Sequence, residues 1–387
     1  MTANILDTLE QVATDIVDTL VDTLLGAPEE LNKTTAGRPI ELPRDTYAHD
    51  DVQTEWWYYT GHLQSGERQF GFQVVFFKRR TDKDRLGLVI PMRLFSSVNY
   101  YAHFAITDIE AKQFRYAHRR SINGSLPAGA AIDRHKVWLD NWSVCELGSQ
   151  HIVSARMGYT ELNLSLKPVK PLVKHGLEGL SYKETGEASY YLSYPRMMAE
   201  GELVIANQKY QVTGTAWMDH EFGTWTMKEK IQGWDWFAIQ LDDHREIMAF
   251  QLRDKDGKPT RFSEVTLIET DGSLRRFSQQ EFSITPLGSW TSQVTGTVYP
   301  SGWQLNIPTL EAELQIEPVL RAQELDTRGS TMVIYWEGAT TIAGRLAQQP
   351  VTGRSYVELV GYDRSHERVT LLDYFLNELH FRGLGWR

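Results

Sequence analysis

Over the first 26 residues, apolar side chains recur at three- and four-residue steps, at Ile5, Leu9, Val12, Ile16, Leu20 and Leu24, the stripe of an amphipathic helix. Asp7, Glu10, Asp15, Asp18 and Asp22 share this segment, and it holds no Lys or Arg. A secretory leader needs a cationic start and an unbroken apolar stretch, so the pattern predicts a cytoplasmic protein. Helices that lie on membranes favour Lys and Arg on the polar face, which predicts packing on the body or on a second subunit instead. No stretch approaches the roughly 20 apolar residues of a membrane span. Gly26–Pro43 follows as a linker with three prolines and two glycines.

From Glu55 the period changes to two. Short runs rich in Tyr, Phe, Trp, Val and Thr, such as WWYYTGHL, FGFQVVFF, HFAITDI, LNLSLKP and YQVTGTAW, alternate with Gly, Asp, Asn and Ser. This is the pattern of antiparallel strands, and it predicts an all-β body. The body is also internally repeated. Trp56–Gln73 superposes on Trp234–Gln251 without a gap, and Leu164–Val169 answers Leu314–Val319. Val212-Thr213-Gly214 answers Val351-Thr352-Gly353, each followed by an aromatic residue and an acid: Trp217 and Asp219, then Tyr356 and Glu358. The expected organisation is a helix and linker over 1–40 and two related β domains over 41–225 and 226–387. Sheets of this size curl into barrels or sandwiches to remove their edges.

Composition narrows the partners. A net charge of −10 argues against a nucleic-acid partner, which would need a clustered basic face. The runs Lys78-Arg79-Arg80 and Arg119-Arg120 read as solvent-facing loop ends. Cys145 is the single cysteine, which excludes an intrachain disulfide and a cysteine metal cluster, and its apolar neighbours predict burial. Twelve Trp and 17 Tyr have to line something large.

The densest chemistry lies where the first copy ends and the second begins. Asp219, His220 and Glu221 are consecutive, and Trp225, Trp234 and Trp236 follow. If the strand continues through them, Trp217, Asp219 and Glu221 share one face and His220 takes the other; a bulge at Gly223 would gather them. A carboxyl group in a Trp-lined pocket acquires a raised pKa and can donate a proton near neutrality. The alternative is a buried polar network that ties the domains together. Metal binding is not expected, because His220 has no HxH or HExxH partner. Glu55 beside Trp56-Trp57 and Asp235 between two tryptophans read as acceptors of indole N–H bonds. Nucleophile-elbow, dinucleotide and Walker sequences are absent, so no nucleotide cofactor is expected.

Together, the stretches Asp51–Gly61 (DVQTEWWYYTG), Tyr191–Arg196 (YLSYPR), Ala216–Glu221 (AWMDHE), Gly233–Trp236 (GWDW) and Tyr335–Gly338 (YWEG) resemble the AttH-like and carotenoid 1,2-hydratase (CrtC-like) family, from about residue 40 to the end. The resemblance implies two tandem lipocalin-like β units with a hydrophobic pocket near their junction. It also implies an isoprenoid or polyene ligand, no metal and no organic cofactor, and relatives of the fold that look like pericyclic cyclases. In the hydratase branch the proton-donating machinery resembles an Asp-His motif with a Tyr and an Asp on a following strand. Asp219 and His220 match, but Phe222 stands for the expected Trp and Met248–Gln251 carries neither Tyr nor Asp. Carotenoid hydration itself is therefore not the expected reaction.

The expected function is acid-initiated hydration, cyclisation or isomerisation of an apolar unsaturated molecule. Asp219 would supply the proton with help from His220 and Glu221. Trp217, Trp234, Trp236, Trp57 and Tyr58 would line the pocket. Gln251, matched in the repeat to Gln73, would stand where the hydratase branch keeps an acid. Two other readings stay open: a lipocalin-like carrier that binds without turnover, and an aromatic seam that merely glues the domains.

Overall fold

In the computed structural model, Thr54–Ser65 and Arg68–Arg80 pair as an antiparallel hairpin with both faces largely buried. Trp57, Tyr59, Leu63, Phe70, Phe72, Val74 and Phe76 point into one core, while Tyr58 and Val75, with Trp56 and Phe77 beside them, point into another. A strand facing water on one side alternates apolar with polar residues. This hairpin packs on two apolar masses, which is why WWYYTGHL is so continuously apolar. The structure describes residues 14, 17–24, 31, 34, 38–81, 85–86, 90–94, 96–122, 124–184, 186–225 and 231–363.

The hairpin lies in the middle of a 13-stranded antiparallel sheet. On one side come Val98–Asp108 and Gln113–Ser121; on the other come Gln208–Gly223, Glu187–Ile205, Thr160–Pro168, Gln150–Met157, Trp142–Leu147, Lys136–Leu139 and Ala128–Ala130. The sheet curls until its ends approach, with the Arg119 guanidinium 2.8 Å from Asp140 and 4.3 Å from the centre of the Trp142 ring. Its interior is the core that contains Trp57, Phe104 and Trp142.

A second sheet of 10 strands repeats this order. Ile231–Leu241 and Glu246–Asp254 form its hairpin, with Glu264–Ile268 and Leu274–Ser278 outside it. Gln349–Val360, Ile334–Leu346, Ala312–Pro318, Trp303–Ile307 and Ser283–Pro286 complete the path. Both echoes seen in the sequence fall on matching strands: Thr160–Pro168 with Ala312–Pro318, and Gln208–Gly223 with Gln349–Val360. The fold is therefore all-β, two lipocalin-like barrels in tandem. A third core fills the space between the barrels, with Tyr58, Val75, Tyr191 and Trp217 from the first and Trp236, Met248, Phe250 and Tyr356 from the second. Each fully buried side chain of this size contributes about 1.5–3 kcal/mol, so the seam is part of the folding energy.

Three expectations change. Lys78 is no loop end: its ammonium is buried and donates to Asp50 Oδ1 and the His49 carbonyl, both at 2.7 Å. Arg80 is buried as well, donating to the Asp50 carbonyl at 2.5 Å. Cys145 is only half-buried, on the face opposite the core residue Val144. Most of the predicted helix over 1–26 lies outside the described residues; within them, 14 and 17–24 are helical, Val21 is buried and Asp22 pairs with Arg93. Among the described residues, no helix is long and apolar enough to cross a membrane.

Candidate functional site

The strand Gln208–Gly223 pairs with Thr54–Ser65 in unbroken register from Thr213 to Gly223. No bulge gathers the Asp-His-Glu triplet, so alternation decides: Asp219 and Glu221 face the second barrel and His220 faces the first barrel's interior. Between the barrels lies a cavity of about 160 Å³. That is close to the roughly 150 Å³ of an engineered apolar cavity that holds one benzene. Trp56, Phe77, Trp225, Trp234, Trp236 and Phe250 supply aromatic wall, and Asp219, Glu221 and Glu358 bring three carboxyl groups into it.

Asp219 is the best-furnished of these acids. Its Oδ2 accepts from the Tyr191 hydroxyl at 2.6 Å, and its Oδ1 accepts from Trp217 Nε1 at 2.6 Å and from the Ser193 hydroxyl. Each donor is itself positioned. Trp236 Nε1 donates to the Tyr191 oxygen at 2.8 Å, and His175 Nε2 lies 2.8 Å from Ser193 Oγ. Burial lowers His175 to about 3, so the ring is neutral, and because the Ser193 hydroxyl donates to Asp219, the bond to Ser193 is donated by His175 Nε2–H. Burial raises Asp219 to about 7 against the pull of its three donors, with nearby Glu221 adding to the rise.

The other acids differ in their partners. Glu221 is held by the Lys183 ammonium at 2.6 Å and by the Ser189 hydroxyl. Glu358 accepts one bond, from Trp234 Nε1 at 2.9 Å, and burial, reinforced by Asp219 and Glu221, raises it to about 7. Behind it, Glu337 accepts from the Tyr58 hydroxyl and is raised well above the carboxylate range by burial and by Glu358. The Tyr58 and Trp236 rings meet edge to face at 5.1 Å in the middle of the seam. Each reaches across to the opposite barrel, Tyr58 to Glu337 and Trp236 to Tyr191.

Of the residues singled out in the sequence, Asp219, Glu221, Trp234, Trp236 and Tyr58 meet at this cavity, and Trp217 sits behind Asp219 as a donor. His220 and Trp57 are elsewhere. They stack at 5.1 Å on the far side of the wall, where His220 Nε2 lies 2.9 Å from Glu55 Oε1. The expected relay from His220 to Asp219 is therefore not formed. Glu55 also contacts His49 Nδ1 at 2.8 Å, and burial of its charge is outweighed by the bonds from His220 and His49, which lower it to about 2. His49, Glu55 and His220 have ligating atoms within 4.8 Å of one another. These atoms bond each other, with the Lys78 ammonium 3.8 Å from Glu55 Oε2, which is the geometry of a hydrogen-bonded network. Glu55 and Asp235 do not accept indole bonds as expected; Asp235 takes Arg253 at 3.1 Å and Tyr362 at 3.0 Å.

Gln251 also faces away, because Phe250 and Leu252 on either side of it line the cavity. Its match to Gln73, which does line the cavity, fails for a geometric reason. Tyr58 pairs with Val75, while Trp236 pairs with Phe250, so the stretch that passes through the second hairpin's turn is shorter by an odd number of residues. An ungapped match carried through that turn lands on the opposite face. Sequence reasoning missed Lys183, Tyr191, Ser193 and Glu358 as members of the site. Two signals were present: Tyr191 and Ser193 alternate in YLSY, and Glu358 is the repeat echo of Asp219.

The AttH-like family model matches residues 33–362 of the chain. The crystal structure of an AttH protein from Nitrosomonas europaea is similar at TM-score 0.76 and 31% identity, over 86% of this chain and 100% of the other. Kievitone hydratase from Nectria haematococca is similar at TM-score 0.65 and 16% identity, over 86% and 96%. CghA, in a crystal structure with Sch210972, gives TM-score 0.52 and 11% identity, over 87% and 97%. At those identities the last two show a shared fold alone. No curated protein matches the chain.

Proposed function

The chain belongs to the AttH-like family, and from that premise we propose that it is an enzyme of hydratase, cyclase or isomerase type. In this reading an apolar isoprenoid or polyene enters between the barrels, and Asp219 starts the reaction by protonating a double bond. The observation that carries the reading is a buried carboxyl group at about 7 among aromatic walls. A general acid works best with its pKa near the operating pH, where both the protonated form and the driving force are available.

The donors around Asp219 serve the second half of the step. Once the proton has left, the charge that remains on the carboxylate accepts three bonds that are already in place. The carbocation faces the Trp234 and Trp236 rings, an attraction worth about 2 kcal/mol when desolvated. The cavity volume suits one ring or one five-carbon portion of a longer molecule. The name of kievitone hydratase supports water addition on this fold, as a coarse guide to the class of chemistry.

The test is turnover of a panel of open-chain isoprenoids and polyenes by the whole chain, with binding followed in parallel. Asp219→Asn should abolish product formation while binding persists. Tight binding without product from the unaltered protein would replace this reading with that of a carrier.

A further inference from the structure

We propose that Glu358 is a second acid–base group of this site, facing Asp219 across the cavity and handling the proton that Asp219 does not. The inference rests on the acid-initiated reading above and adds a residue and a division of labour to it.

The geometry begins with the repeat. Asp219 lies on Gln208–Gly223, next to Tyr58 in register; Glu358 lies on Gln349–Val360, next to Trp236 in register. The two strands hold matching places in their sheets, so the barrels present their acids to one seam from opposite walls. Both line the same cavity, Asp219 buried and Glu358 half-buried.

Their surroundings assign different roles. Asp219 receives three bonds that suit a carboxylate. Glu358 receives one, from Trp234, and its cross-strand neighbour is another acid, Glu337. The other charged groups at hand are Glu221 and Lys183, and the Lys183 ammonium is held 2.6 Å from Glu221. Tyr58, on the first barrel, donates its hydroxyl hydrogen bond to Glu337. Among the described residues, no cation is bonded to Glu358; burial raises it, and the negative charges of Asp219 and Glu221 add to the rise and couple its titration to that of Asp219.

Protonation of a double bond leaves a second proton to be moved. In hydration, the Asp219 O–H bond breaks and a C–H bond forms; water then adds to the cation, and the Glu358 carboxylate takes a proton from that water as the C–O bond forms. In isomerisation, Glu358 instead takes a proton from the adjacent carbon. Either way Asp219 ends ionised and Glu358 ends protonated, and solvent at the cavity mouth resets both.

The experiment combines a titration with a reaction. Carbonyl-labelled protein is followed by carbon NMR from about pH 5 to about pH 9, the range that raised carboxyl groups cover, as unaltered protein, D219N and E358Q. Expected is a coupled pair, in which removing either acid lowers the midpoint of the other. In the reaction arm, farnesol is incubated in heavy-oxygen water. Expected is a bell-shaped pH profile that loses one limb in E358Q, with kcat/KM lower by at least about a hundredfold, as for loss of a general base.

Independent titration of the two acids, or an E358Q profile that keeps both limbs while the unaltered protein turns over, overturns the role of Glu358 and leaves the acid-initiated reading standing. Coupled titration with no product from farnesol or any polyene overturns both.

Discussion

Tyr191→Phe is the sharpest probe of how the Asp219 carboxyl group is held. The substitution keeps the ring and removes one hydroxyl, which donates to Asp219 Oδ2 at 2.6 Å and accepts from Trp236 at 2.8 Å. A hydrogen bond to an ionised partner is worth about 1.5–3 kcal/mol, and one pKa unit corresponds to about 1.4 kcal/mol. Losing the bond should therefore raise Asp219 from about 7 by about one to two units. Ser193→Ala, which removes a donor to Oδ1, should act in the same direction.

The assay is the titration of Asp219 by carbon NMR of labelled carboxyl groups, with the resonance identified by its absence in D219N. The fold should survive, at a cost of about 1–3 kcal/mol for the Trp236 N–H left unpaired. A midpoint that stays within about 0.3 units of the original would refute the reasoning. It would mean that the Tyr191 hydroxyl does not stabilise the charged form.

The buried histidines should weaken the fold in a defined window of acidity. Burial holds His62 and His135 near 4 and His175 near 3, against about 6.5 in an unfolded chain. As pH falls from about 6.5 to about 4, the unfolded chain binds protons at these histidines that the folded one refuses, so each of them costs stability; His49, raised by its bonds to Asp45 and Glu55, and Asp219 and Glu358, raised to about 7, act in the opposite sense. His62→Gln should therefore lose less stability than the unaltered protein between those pH values, and urea midpoints that change equally in the two would contradict the account. Glu55→Gln should lower stability by about 3–5 kcal/mol, as expected when one partner leaves a buried charged network, while ligand binding between the barrels is unchanged; lost binding with an intact fold would tie His220 to the cavity after all. A Cβ at Gly71 would stand 2.7 Å from the Ala339 Cβ across the seam. Gly71→Ala should cost about 1–3 kcal/mol by overpacking, and adding Ala339→Gly should recover most of it; calorimetry of the double variant decides.

The fold was legible because burial leaves a period. The alternation of apolar residues from Glu55 and the echo of WWYYTGHL in WDWFAIQL were enough for two β units, and both units share one strand order. The acids of the site were legible in part. Asp219 and Glu221 belong to one face of a continuous strand, and the same alternation puts His220 on the other. Adjacency in sequence suggested a working triplet, whereas a strand separates neighbours by its full thickness. Gln251 failed because the second hairpin is shorter than the first by an odd number of residues, a length no periodicity reveals. Lys183 reaches the cavity, and Ser193 reaches Asp219, through strand pairings that join distant parts of the chain, and one-dimensional pattern does not report those.

The crossed reach of Tyr58 and Trp236 bears on descent as well as on structure. One barrel paired with its own copy would have carried equal acids in equal surroundings, each steadied by an aromatic arm from its partner. Joining the copies in a single chain released them from that equality, because a substitution in one is no longer imposed on the other. The drift is visible in the donors: among the described residues, Asp219 gathered Tyr191, Ser193 and Trp217, and Glu358 has Trp234. A matched pair would give both walls the same proton affinity and the same task, and duplication followed by divergence let this seam acquire two sides.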